Sequence, residues 1–335
     1  MSNLYFSLEA TLPVFLVMLC GFFLMKIGLF NESFTKTADA YVFKCALPIA
    51  MVLDLADADM SENFSWKFMG FCFFGTIIMF LLSWLIAALA FRKRKEMIGA
   101  FAMSAARGSA AVLGVAFAEN IFGNAGMTAL MIMAAVPLFN IFSVIFLTVG
   151  KDRDSKEMNG ESLSGEKNCR KKENYKSSGM LRDILWGIVT NPLIIAVVIG
   201  LLLAASGLKL PKIPYKCLKS IGSTATPMAL LSIGAGFDIK KLSGKLGPAF
   251  FASFIKLMLM PAIFLGAAVY MGFTGPSAVA ILTMAGSPTT VACYIMAKNM
   301  DGDYVLTSGT VMLATLLSSV SLTFWLWLLR AGGII

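Results

Sequence analysis

Gly286-Ser287-Pro288-Thr289-Thr290 stands in the middle of an apolar stretch that runs from about residue 276 to 298. Serine is a good N-cap, proline is favoured at the first helical position, and glycine permits a bend before them. The pentapeptide therefore predicts a helix that starts halfway along what would otherwise be one membrane span. Such a start points unpaired N–H groups and the positive end of the helix dipole into the gap, an arrangement that favours anions. An ordinary proline kink in a packed helix is the alternative.

Moving outward, the same place is marked a second time. Sliding the chain by 179 positions lays Arg107-Gly108-Ser109-Ala110-Ala111 on 286–290 and brings other punctuation into register. Thr11, Pro13, Gly21 and Gly28 fall on Thr190, Pro192, Gly200 and Gly207; Ala46, Pro48 and Ala50 fall on Ala225, Pro227 and Ala229; Ala118, Asn120 and Gly123 fall on Ala297, Asn299 and Gly302. Prolines and glycines set where helices bend, break and pack closely, so one backbone plan used twice is expected. No proline marks the first break.

Composition sets the class. The 335 residues are 58% hydrophobic and only 14% charged, and the mean hydropathy is +0.79, which indicates an integral membrane protein. Ten apolar stretches long enough to cross the bilayer lie near 8–30, 36–56, 67–91, 97–118, 126–149, 183–206, 218–237, 247–271, 276–298 and 305–330. Backbone groups in lipid must be satisfied internally, so an all-α protein of ten transmembrane helices is expected. Five spans per repeat, an odd number, invert the second copy relative to the first. Residues 1–150 form the first repeat, 151–182 a flexible polar linker, and 183–335 the second repeat. Glu9 and the lack of a basic region before the first apolar run argue against a cleaved signal. The six cysteines, with no CxxC pair, read as small packing residues.

The net charge of +9 does not indicate nucleic acid, because its distribution follows loop parity. Odd-numbered loops hold nineteen Lys and Arg, even loops and termini six. The positive-inside rule places the 151–182 linker in the cytoplasm and both termini outside, although Lys209 to Lys219 run against it. Three basic residues remain inside the spans: Lys44, Arg107 and Lys256. Ten residues of rise from Met97 put Arg107 about 15 Å deep, near the bilayer centre, where a charge marks a functional candidate. A structural arginine neutralised by Glu119 or by carbonyls is the alternative. Lys44, four residues before Pro48, is close enough to the surface to snorkel. Lys256 has no basic mate across the offset and suits structural pairing at least as well as substrate contact.

The order Pro13…Gly21, Ala46-Leu-Pro48, Glu119-Asn-Ile-Phe-Gly123, Val136-Pro-Leu-Phe-Asn140, Asn191-Pro192-Leu, Ser287-Pro288-Thr289 and Tyr294-Ile-Met-Ala297-Lys resembles the bacterial branch of the auxin efflux carrier family, itself grouped with the bile-acid sodium symporters. The resemblance covers the chain apart from the linker. It implies that helices 4 and 9 unwind and cross, that a substrate carboxylate binds at 107–111 and 286–290, that helices 1, 2, 6 and 7 form a scaffold, often dimeric, and that helices 3–5 and 8–10 form a mobile transport domain.

The expected function is a secondary carrier of small organic anions, carboxylates and possible auxin-like acids among them, moving by an elevator-type alternating access. Arg107 would supply charge, Ser109, Ser287, Thr289 and Thr290 hydrogen-bond donors, and Gly108, Ala110, Gly286 and Pro288 the backbone of the breaks, with Asn140 and Tyr294 as further lining residues. Pro48, Pro227, Lys44, Asp54, Glu119 and Lys256 are candidates for coupling or support. The absence of histidine removes the usual proton relay and leaves Asp39, Asp54 and Glu119. A sodium-coupled bile-acid-type symporter and an anion channel stay open as alternatives. An enzyme is not expected, since no HExxH, GxSxG or intramembrane acidic cluster is present. No cofactor or metal is expected, and the partners are a small anion, lipid and a second copy of the chain.

Overall fold

The computed structural model describes residues 2–57, 65–123, 126–160, 189–208, 210–237 and 242–335. Among the described residues the chain is helical throughout, with no strand beyond one isolated bridge. In chain order the helices are α1 (Ser2–Lys26), α2 (Glu32–Tyr41), α3 (Leu47–Ala56), α4 (Trp66–Ala90), α5 (Ile98–Ala106), α6 (Ala110–Phe122), α7 (Gly126–Gly160), α8 (Pro192–Ser206), α9 (Lys212–Ser223), α10 (Ala225–Ala235), α11 (Leu246–Phe254), α12 (Met260–Tyr270), α13 (Gly275–Gly286), α14 (Val291–Asn299) and α15 (Tyr304–Ala331). Four apolar runs have the length of a full membrane crossing: Trp66–Ala90, Met127–Val149, Leu246–Tyr270 and Tyr304–Ala331. The protein is an all-helical integral membrane protein.

Two pairs, α2 with α3 and α11 with α12, are joined by a single wide turn, Val42–Ala46 and Ile255–Leu259. Each wide turn is followed by a proline, Pro48 or Pro261, which cannot donate to the carbonyl four residues back and so forces the ladder to open locally. The freed Leu257 carbonyl is taken by Trp325 Nε1 on α15 at 2.9 Å.

Helix boundaries recur at the 179-residue offset. Glu32–Ala56 falls on 211–235, beside α9 and α10, and Trp66–Ala90 falls on 245–269, beside α11 and α12. Close packing recurs as well. A Cβ on Gly21 would overlap the backbone of Leu231, and a Cβ on Gly200 would lie 3.2 Å from the carbonyl of Val52, where Gly200 is the offset mate of Gly21 and Val52 that of Leu231. Small residues let these backbones approach without losing side-chain entropy.

Helix α7 runs eleven residues beyond the 126–149 span, through 150–160 and so into the first part of the linker. Between Gly150 and Gly160 there is neither glycine nor proline, so nothing in the polar sequence stops the helix. The remainder of the linker lies outside the described residues.

Candidate functional site

Both apolar stretches that carry the marked pentapeptides are interrupted. Helix α5 ends at Ala106, Arg107 is extended at φ −80° and ψ 119°, and α6 begins at Ala110. Helix α13 ends at Gly286, Ser287 is extended at φ −66° and ψ 148°, and α14 begins at Val291 with Thr290 as its N-cap. The two breaks are joined through an antiparallel bridge between Gly108 and Thr289, and the Ser109 N–H donates to the Pro288 carbonyl at 2.9 Å. Strand-like pairing here satisfies backbone groups that leave both helices, the condition for irregular backbone inside a membrane protein.

Gly108 is where the segments touch. A Cβ there would overlap Ser287 Oγ, its own offset mate, and would lie 2.8 Å from Lys256 Cε and 2.9 Å from Nζ. A side chain at this position would force Ser287 and Lys256 to shift. The first break needs no proline because the partner segment and Lys256 supply what the helix ladder gives up.

Lys256 is fully buried and accounts for the broken ends. Its Nζ donates to the carbonyls of Ala106 at 2.9 Å, Met284 at 3.1 Å and Ala285 at 2.9 Å, the last turns of both α5 and α13. A cation at two helix C-termini also meets two negative dipole ends. Thr289 Oγ1 takes one more freed carbonyl, that of Ser104, at 2.8 Å. These contacts make Lys256 a clasp on the two bridged breaks rather than a wall of the cavity.

Arg107 differs. It is 6% exposed, and Nη1 alone is engaged, with Ser143 Oγ at 3.3 Å and Met296 Sδ at 2.8 Å. Among the described residues its other N–H groups meet no acceptor and no carboxylate lies within ion-pair distance. Glu119 is exposed on α6 and does not neutralise it. An uncompensated guanidinium in a buried site is costly.

A cavity of about 110 Å³ opens beside it. Its walls come from both breaks (Arg107, Gly108, Ser109, Ala110, Thr290), from α7 (Asn140), and from α3 and α10 (Leu47, Asp54, Thr226). Two pairs of offset mates, Leu47 with Thr226 and Ala111 with Thr290, face this one space. Of the predicted residues, Arg107, Gly108, Ser109, Ala110, Thr290, Asn140 and Asp54 are brought together. Gly286, Ser287, Pro288 and Thr289 lie behind the wall and shape the crossing. Tyr294 is away from the cavity, with its hydroxyl accepting from Lys298 Nζ at 2.8 Å. Lys44 and Pro227 are exposed, and Pro48 follows a wide turn.

Sequence reading missed Thr226 and the α3 wall, although the offset that paired the breaks also pairs Leu47 with Thr226. It also missed an ion pair with a buried carboxylate. Asp39 of α2 accepts from Ser232 Oγ on α10 at 2.5 Å and pairs with Lys298 of α14 at 2.5 Å. No spacing in the sequence links residues that far apart.

A family model described as membrane transport protein matches residues 6–326. The chain belongs to this family, that of the auxin efflux carriers. It is also similar to an uncharacterized transporter of Methanocaldococcus jannaschii, 20% identical over 334 residues covering 96% of this chain and 98% of that protein. A second similar protein, an uncharacterized transporter of Methanothermobacter thermautotrophicus, is 24% identical over 322 residues covering 95% and 97%. The protein is therefore a membrane transporter and not an enzyme. Met296 and Ser143, which hold one edge of the Arg107 guanidinium, sit on helices within the matched region.

Proposed function

We propose that this transporter is a secondary carrier of small organic anions, above all carboxylates, that binds its substrate where the two helix breaks meet. The observation that carries this is the buried Arg107 guanidinium, which has no carboxylate partner among the described residues and stands on the wall of the cavity. A carboxylate there would accept from the free guanidinium N–H groups and from the open starts of α6 and α14.

The architecture behind this reading is two inverted five-helix repeats with the breaks crossing at the middle of the membrane. Recurrent boundaries and the reciprocal Gly21 and Gly200 contacts support it, and Gly108 beside its own mate Ser287 is what a residue on the pseudo-two-fold axis would do. Spans 1, 2, 6 and 7 (α1 to α3 and α8 to α10) form the scaffold and carry the homodimer contact, the other helices move against it, and the cavity lies between the two sets. Both termini lie outside the cell membrane and the linker inside. An elevator-type movement would carry Arg107 and its ligand past the Leu47 and Thr226 wall.

Uptake of labelled carboxylates into proteoliposomes tests this. Saturable uptake that Arg107→Ala reduces by at least about a hundredfold, with folded protein retained, is the expected result. Near-normal uptake in that variant would remove Arg107 from the site, and flux that never saturates would favour a channel.

A further inference from the structure

The cavity contains more free acceptors than a simple anion can use. Asn140 is fully buried, and its Nδ2 donates to the Val136 carbonyl at 2.9 Å. A carbonyl oxygen only accepts, so the amide nitrogen must be the atom facing it, and Oδ1 is the one left over. That Oδ1 is buried and has no hydrogen-bond partner among the described residues. Buried acceptors are rarely left so unless something else supplies the donor.

A second acceptor faces the same space. Asp54 of α3 is exposed and lines the cavity, and among the described residues no hydrogen bond or ion pair reaches its carboxylate; the nearby Tyr215 hydroxyl donates to Asp57 instead, at 2.6 Å. Arg107, Asn140 and Asp54 thus place one cation, one neutral acceptor and one exposed anion along the lining of a single half-open cavity. A plain carboxylate answers only the first and is repelled by the other two. A carboxylate with an ammonium group on the neighbouring carbon answers all three.

The size agrees. By the same measure a single water needs about 10–15 Å³, so the cavity of about 110 Å³ holds a handful of non-hydrogen atoms. That suits a small amino acid.

Resting on the carrier reading above, we propose that the preferred substrate is a small zwitterionic amino acid, its carboxylate at Arg107 and its ammonium donating to Asn140 Oδ1 and Asp54. Aspartate 54 then sets specificity: its charge selects the ammonium and rejects the bare acid.

Equilibrium binding to the purified full-length protein tests the assignment with two matched series. Alanine, lactate and propionate share one carbon skeleton and differ in a single substituent, as do aspartate, malate and succinate. The expected result is that, in at least one series, the amino acid binds at least about tenfold more tightly than the unsubstituted acid, a charged hydrogen bond being worth that much. Asp54→Asn should abolish the preference and tighten binding of the unsubstituted acid, whose repulsion is removed, with elution on size exclusion unaltered. Equal binding across both series, tighter binding of the hydroxy acid, or an unchanged ratio in Asp54→Asn would overturn the amino-acid assignment alone. Absence of binding by all six would overturn the carboxylate site itself.

Discussion

Arg107 and Lys256 stand at the same pair of bridged helix breaks, both buried and neither paired with a carboxylate among the described residues. Lys256 has three N–H donors, and three carbonyls take them. Arg107 has five, and its contacts use one nitrogen. Burial and charge therefore do not separate a structural cation from a binding one here. Saturation of donors does: a side chain whose hydrogen-bonding capacity is exhausted by the fold has nothing to offer a ligand, and one with capacity left over beside a cavity does.

The sharpest way to break this comparison is Lys256→Met. It strips a cation from three carbonyls at two helix ends, and a loss on the order of 3–5 kcal/mol is expected, read as a collapse in the yield of monodisperse protein. A variant that folds normally but no longer transports would move Lys256 into the site beside Arg107. Gly108→Ala comes next. Its Cβ would overlap Ser287 Oγ and press on Lys256, so about 1–3 kcal/mol of stability should be lost in a thermal unfolding series. Adding Ser287→Gly should return part of it, and no recovery would mean the crossing is not where the strain arises.

Arg107→Met should behave in the opposite sense. Removing a buried, uncompensated charge should leave the unfolding midpoint unchanged or raise it, by up to roughly 2 kcal/mol in stability. A marked fall would give Arg107 the same structural role as Lys256. The smallest effect is expected at Trp325→Phe, which leaves the Leu257 carbonyl unpaired next to the wide turn that carries Lys256; about 1 kcal/mol is expected from chemical or thermal unfolding.

Much of this was legible in sequence because it depends on local chemistry. Ser287-Pro288 announces a break, although Ser287 caps the end of α13 and the new helix starts only at Val291 with Thr290 as its N-cap; a lone arginine far inside an apolar run announces a buried charge, and glycines in register announce close packing. Membrane class and helical fold follow from composition and length. The break before Ala110 was marked only by its offset mate, since what holds it open is Lys256, distant in sequence, and a bridge to Thr289. Partners such as Ser143 and Met296 were not legible for the same reason: their approach depends on how whole helices pack, and no residue spacing records that. Tyr294 shows the converse error. Its place beside the second break suggested the cavity, but its side chain points to Lys298 and the Asp39 ion pair, which join α2 to α14.

The central claim is that Arg107 is free for a ligand while Lys256 is not. The most direct test is ligand-dependent thermal stabilisation of purified wild-type and Arg107→Met protein across a concentration series of small carboxylates. A ligand that binds only the folded state raises the midpoint progressively with its concentration. The account predicts such a rise for wild type and none for Arg107→Met, whose own midpoint starts no lower. An equal rise in both proteins would contradict it.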